Sequence, residues 1–117
     1  MAKDHLARKL AVILHADVVG STVLVQNNEV LAHERIQAAF HKFSETISSY
    51  GGITSELRGD ALVAEFARAS DAVTAALSFQ ALNGKINSAL DDETQPQLRI
   101  GISLGEEIGR ASCRERV

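Results

Sequence analysis

The stretch Leu10 to Val19, LAVILHADVV, is almost wholly aliphatic and is broken only by His15 and Asp17. Its longest unbroken apolar run, Leu10 to Leu14, is far too short to span a bilayer. That density reads as a central strand covered on both faces, and such a strand needs neighbours. The rest of the chain supplies them. Gly20-Ser21-Thr22 forms a flexible joint with two candidate N-caps for a short helix around Val23 to Gln26. Ile36, Phe40, Phe43 and Ile47 recur at helical spacing and predict an amphipathic helix over about Val30 to Tyr50, closed by Gly51-Gly52.

Ile53 to Arg58 and Ala61 to Phe66 read as two strands around Gly59-Asp60, where glycine at the first central position predicts a type II′ hairpin. Ser70-Asp71 is the expected N-cap and first acid of a second helix, with an apolar stripe of Val73, Ala76, Phe79, Leu82, Ile86 and Leu90. Gly84 inside that helix costs roughly 1 kcal/mol relative to alanine. After a polar loop over Asp91 to Pro96, Leu98, Ile100, Ile102 and Leu104 alternate with Arg99, Gly101 and Ser103, the period of a half-buried strand. The order strand, helix, strand, strand, helix, strand predicts an α+β fold. It is the ferredoxin-like βαββαβ arrangement, an antiparallel sheet with helices on one face.

At 117 residues and 45% apolar the chain suits one small globular domain. A net charge of −3 argues against a nucleic-acid partner. No apolar segment follows the opening Met-Ala-Lys-Asp-His, so neither a secretory leader nor a membrane segment is expected. One cysteine, Cys113, forms no internal disulfide, consistent with a reducing, cytoplasmic setting. The four histidines show no zinc-ligand spacing, and the phosphate-loop, dinucleotide-binding and nucleophile-elbow motifs are absent.

Chemistry concentrates at two acids. In a ferredoxin-like sheet the first strand and the central hairpin are neighbours, so the strand end at Asp17 is expected beside the turn at Asp60. Two adjacent carboxylates are costly to keep ionised without a cation between them, and oxygen ligands select magnesium or manganese rather than zinc. Val18 to Ser21 then present backbone N–H groups at a strand-to-helix joint, a place to hold phosphate. The other reading is that Asp60 fits a turn and Asp17 caps the next segment. From the residues alone both stand.

His15-Ala16-Asp17-Val18-Val19-Gly20-Ser21-Thr22 and Arg58-Gly59-Asp60-Ala61-Leu62-Val63-Ala64-Glu65-Phe66 resemble the two metal-binding motifs of class III nucleotide cyclases. The helix ending in Tyr50-Gly51-Gly52 and the strand from Leu98 to Gly105 match that family in order and spacing, and the resemblance covers about Arg8 to Glu107. It implies a purine nucleoside triphosphate cyclase that converts ATP or GTP to a cyclic 3′,5′-nucleotide and pyrophosphate for intracellular signalling. Asp17 and Asp60, with the Val18 carbonyl, would hold two Mg²⁺ or Mn²⁺ ions, one activating the ribose 3′-hydroxyl and one bracing the phosphates. Val19, Gly20, Ser21, Thr22, Glu56, Arg58 and Gly59 would contact substrate. The active site would form with a second cyclase domain, so a homodimer is implied.

In adenylate-type members a lysine usually stands at the position of Glu56. Guanylate-type members carry glutamate there, which accepts from the guanine edge, so Glu56 leans towards GTP and leaves ATP open. Arg58 departs from the small or aliphatic residue usual in the family; it contacts phosphate, or it pairs with Glu56 and fills the base pocket. The alternative for the whole chain is a cyclase-like module that binds nucleotide and dimerises without turnover. Diguanylate cyclases and polymerase palms expect a second acid after the turn, where this chain has Ala61 and Leu62.

The last ten residues, Ile108 to Val117, read as a translated sequencing adapter and are expected to be non-native. Residues 8–107 would then be the N-terminal half of a cyclase domain. That half holds the metal ligands without the family's transition-state asparagine and arginine, and on its own would be inactive.

Overall fold

The computed structural model describes residues 9–107. Their order is β1 (Lys9–Val18), α1 (Ser21–Asn27), α2 (Glu29–Ser49), β2 (Ile53–Leu57), β3 (Ala61–Phe66), α3 (Ala69–Ser88) and β4 (Leu98–Glu107). The four strands form one sheet of order β2-β3-β1-β4, and every pairing is antiparallel. This is the expected α+β arrangement. The expected non-native tail lies outside the described residues.

Strand β1 is central, yet only one of its faces is covered. Val12, Leu14, Ala16 and Val18 are buried beneath the helices, while on the other face His15 is exposed, Ile13 and Asp17 are half-buried and, of these four, Ala11 alone is buried. The expectation of cover on both faces is therefore corrected. Both long helices pack on the same side of the sheet, which leaves the other side open. The covered side holds Phe40, Phe43, Phe79, Leu14, Ile47 and Leu62, all fully buried. The rings of Phe43 and Phe79 stack with centroids 4.4 Å apart, tying α2 to α3.

Helix α2 starts at Asn28, whose side chain accepts from the Leu31 N–H at 3.1 Å, with Glu29 in the favourable first turn. It ends as the glycine pair predicts. Gly51 takes φ +83°, and its N–H and that of Gly52 donate to the Ser48 and Ile47 carbonyls at 3.1 and 2.9 Å. These are the two bonds of a Schellman cap.

Helix α3 departs from expectation twice. Its N-cap is Arg68, without a side-chain cap bond, rather than Ser70. Its buried face is Ala72, Ala75, Ala76, Phe79, Asn83 and Asn87, whereas Val73, Leu82 and Ile86 are exposed. Small alanines let the helix lie close to the sheet. The amides of Asn83 and Asn87 both donate to the Pro96 carbonyl, at 3.0 and 2.8 Å, which satisfies polar groups at buried positions. Arg35 of α2 grips the same connection, bonding both carboxylate oxygens of Asp92 and the Thr94 carbonyl. The hydrogen bond from Arg35 is the main cause holding the Asp92 carboxyl below the usual carboxylate range.

Burial fades along β4, from 4% exposure at Leu98 to 37% at Ile102 and 64% at Leu104. Among the described residues no helix is long and apolar enough to cross a membrane.

Candidate active site

Three strands converge on Asp17. It stands near the end of β1, opposite Ala61 of β3 and opposite Arg99 of β4. Asp60 immediately precedes Ala61, so residues 43 apart in sequence meet at one end of the sheet. The pairing of Asp17 with Ala61 places Asp17 one residue from the turn that bears Asp60.

Asp17 already has a partner. The Arg99 Nε and Nη2 donate to its two carboxylate oxygens at 3.1 and 3.2 Å, a fork that matches the carboxylate plane. That hydrogen bond and the Asp17 charge raise the Arg99 pKa further. Both side chains are half-exposed or more, so solvent and other ions reach the pair. Arg99 was not among the residues expected at the site. The alternation from Leu98 to Leu104 puts Arg99 on the polar face, but only the pairing of β4 with β1 puts it beside Asp17.

The joint after β1 is more specific than its composition suggests. Gly20 sits in the left-handed region at φ +62° and is itself the cap of α1, while Ser21 is already helical. Ser21 and Thr22 therefore do not serve as the N-caps expected of them. The Val19 N–H is spent on the Gln97 carbonyl at 2.8 Å, and those of Val23 and Leu24 on the Gly20 carbonyl. Of the Val18 to Ser21 cradle, the N–H groups of Gly20 and Ser21 find no backbone acceptor among the described residues, and neither does that of Thr22.

The hairpin also differs from expectation. Gly59 does not take a positive φ, so the turn is not type II′. The strands close through the Arg58 N–H donating to the Ala61 carbonyl at 2.8 Å. The pairing register of β2 with β3 shifts by one residue between Thr54 and Glu56, an irregularity of the kind that increases local strand twist. Glu56 and Arg58 form an exposed contact at 3.7 Å, one of the two alternatives left open for Arg58.

Rows of residues cross the open face. Asp17, Ala61 and Arg99 make one; Glu56, Val63, His15 and Gly101 make the next. Between them lies a depression of about 350 Å³ lined by His15, Asp17, Ala61, Val63, Arg99 and Gly101 among others. The fold thus gathers Asp17, Val18, Asp60 and the Gly20 joint at one sheet end. Gly59 and Arg58 lie in the adjoining turn, and Glu56 stands two strands away from β1 on the same face.

Among the described residues no cluster of three or more His, Cys, Asp or Glu could hold a metal alone. Two carboxylates and a backbone carbonyl instead fit a hard cation that completes its shell with water and substrate phosphate, the habit of magnesium.

No family model matches the chain. "Putative adenylate cyclase 3" of Rhizobium meliloti (strain 1021) is 32% identical over 107 residues, 91% of this chain and 18% of that protein. The adenylate/guanylate cyclase/hydrolase from Silicibacter pomeroyi shares 29% identity with a TM-score of 0.73, over 85% of this chain and 58% of the other. The guanylyl cyclase Cya2 has a TM-score of 0.71 at 24% identity, over 85% of this chain and 55% of the other. The chain therefore spans under a fifth of that sequence relative and little more than half of these solved structures. In fold and strand order, and in sequence over 107 residues, the chain is similar to adenylate and guanylate cyclase domains.

Proposed function

We propose that the protein to which this chain belongs is a purine nucleotide cyclase. It converts ATP or GTP to the cyclic 3′,5′-nucleotide and pyrophosphate in the cytoplasm, and two Mg²⁺ or Mn²⁺ ions are held by Asp17, Asp60 and the Val18 carbonyl. The observation that carries this reading is the register that sets Asp17 beside the turn bearing Asp60, at the sheet end where the Gly20 joint opens. The cations, when bound, supply charge neutralisation of the phosphates and activation of the ribose hydroxyl.

The chain's own residues prepare that site. Asp17 would hold the cation with the carboxylate oxygens that now accept from Arg99. Arg99, freed and lining the same depression, becomes a donor for a phosphate oxygen. The N–H groups of Gly20, Ser21 and Thr22 receive another part of the triphosphate, and the Val19 residue holds the joint to Gln97. Glu56 on the open face accepts from the N1–H and amine of guanine, which favours GTP. Arg58 and Gly59 shape the turn beside Asp60. A second cyclase domain, in a homodimer, completes the site. Residues 8–107 are the N-terminal half of the domain, Ile108 to Val117 are non-native, and the 117 residues alone do not turn over.

One observation favours a second reading, a module that binds nucleotide without turnover. Asp17 and Glu56 each already face an arginine, Arg99 and Arg58. The two readings are separated by assaying the parent protein for cyclic nucleotide with Mn²⁺ and either triphosphate, beside Asp17→Asn and Asp60→Asn. Turnover that both substitutions abolish supports the cyclase. Turnover that survives either one refutes the metal assignment, and binding without turnover selects the module.

A further inference from the structure

Glu56 reaches the open face by an unusual route. In an unbroken strand, residues two apart share a face. Thr54 and Glu56 do not: Thr54 pairs with buried Ala64 on the helix side, and Glu56 pairs with Val63 in the row of exposed His15. The register shift between them leaves Ser55 as the extra residue, a β-bulge.

Two anchors in conflict require this bulge. Upstream, the Schellman cap delivers the chain into β2, and the Thr54 hydroxyl meets the Ser44 hydroxyl of α2 at 2.9 Å. Downstream, the bond from the Arg58 N–H to Ala61 sets the pairing nearest the turn. The two registers differ by one residue, and Ser55 absorbs the difference. Its hydroxyl donates to the Val63 carbonyl at 3.2 Å, the residue that Glu56 faces. In a regular ladder continuing from Thr54, Ser55 would face Val63 on the open side and Glu56 would turn under the sheet against Leu62.

We infer that Ser55 is a positioning residue: its hydroxyl-fastened bulge turns Glu56 onto the face that carries Asp17, and so sets which purine the site prefers. The inference rests on the cyclase reading for its functional half and on the register alone for its structural half.

The test uses the full 117-residue chain with Cys113→Ser. Glu56→Cys and Val63→Cys are introduced together, and disulfide formation is timed in the Ser55 parent, S55V and S55T; valine and threonine differ here only in the hydroxyl. Residues paired across antiparallel strands lie within disulfide reach. The parent and S55T should cross-link alike, with S55V slower by about tenfold. In the whole protein to which this chain belongs, with Glu56 intact, fluorescent GTP and ATP analogues with Mn²⁺ should show a GTP preference that S55V lowers by about tenfold and S55T retains, the loss expected for one charge-assisted hydrogen bond. Equal cross-linking in S55V overturns the role of the hydroxyl. Slower cross-linking with an unchanged preference overturns the assignment of Glu56 to the base, and with it the functional role of Ser55. No GTP preference in the parent fails the cyclase reading of Glu56, and the functional role of Ser55 falls with it whatever the cross-linking rate.

Discussion

Gly52→Ala is expected to destabilise this domain by overpacking. A Cβ at Gly52 would stand 2.6 Å from the Phe66 ring and 2.7 Å from the Ile47 methyl. Phe66 is 3% exposed and Ile47 is 0% exposed, so both are held by the core and neither can retreat into solvent. Overpacking of this kind costs about 1–3 kcal/mol. With a urea dependence of about 1–3 kcal/mol per molar for a domain of this size, the unfolding midpoint should fall by about 1 M. Gly51→Ala is the comparison. It has open space but φ +83°, so its cost is backbone strain of about 1–2 kcal/mol with no steric partner. Phe66→Leu removes the ring edge that the new methyl meets. In Gly52→Ala it should recover part of the loss, with a coupling of about 0.5–3 kcal/mol, whereas with Gly51→Ala the two should add. Urea titration followed by circular dichroism reads the parent and all five variants. An unchanged midpoint in Gly52→Ala, or strict additivity with Phe66→Leu, would refute the close approach of Gly52 to Phe66 and Ile47.

Arg99→Gln should tighten Mn²⁺ binding in the absence of nucleotide about two- to fivefold, because an exposed competitor of Asp17 is gone, while Asp17→Asn should weaken it; paramagnetic titration reads both. Asn83→Ala with Asn87→Ala should cost about 1–3 kcal/mol in thermal melts, since the Pro96 carbonyl loses both donors, and either substitution alone should cost less than half of the double. The Asp92 carboxyl is depressed in the folded state chiefly by Arg35, so its contribution is complete above the ordinary aspartate range near pH 4 and is lost as pH falls through the lower folded value. The protection factors of the amides over Ala89 to Gln97, taken relative to the intrinsic exchange rate at each pH, should therefore fall on acidification below about pH 4, and Asp92→Asn should remove that dependence.

The elements were legible because each carries a local signal strong enough to act alone. The spacing of Ile36, Phe40, Phe43 and Ile47 marks a helix whatever packs against it, and Gly51-Gly52 ends it because only glycine suits φ +83° at one position and the absence of a Cβ at the next. The two acids were legible as well, since the predicted topology already makes their strands neighbours. Less was readable where one residue answers to several partners. On α3 the large apolar residues at helical spacing suggested the buried stripe, but a close approach to the sheet favours alanines, and the Pro96 carbonyl draws Asn83 and Asn87 inward. At Gly59-Asp60 the dipeptide suggested a turn type, yet Gly59 takes no positive φ, and the pairing register shifts at Ser55 four residues earlier.

By itself the sequence determines the order of strands and helices, the buried faces of β1 and α2 and the places of Asp17 and Asp60 at strand ends, because periodicity acts along the chain. Tertiary structure alone decides that Arg99 closes on Asp17, that β1 is open on one face, and that Glu56 joins the row of His15. Each of these depends on which strand lies beside which and in what register. Register is a sum over both partners of a pair, and a shift of one residue turns a side chain from one face of the sheet to the other.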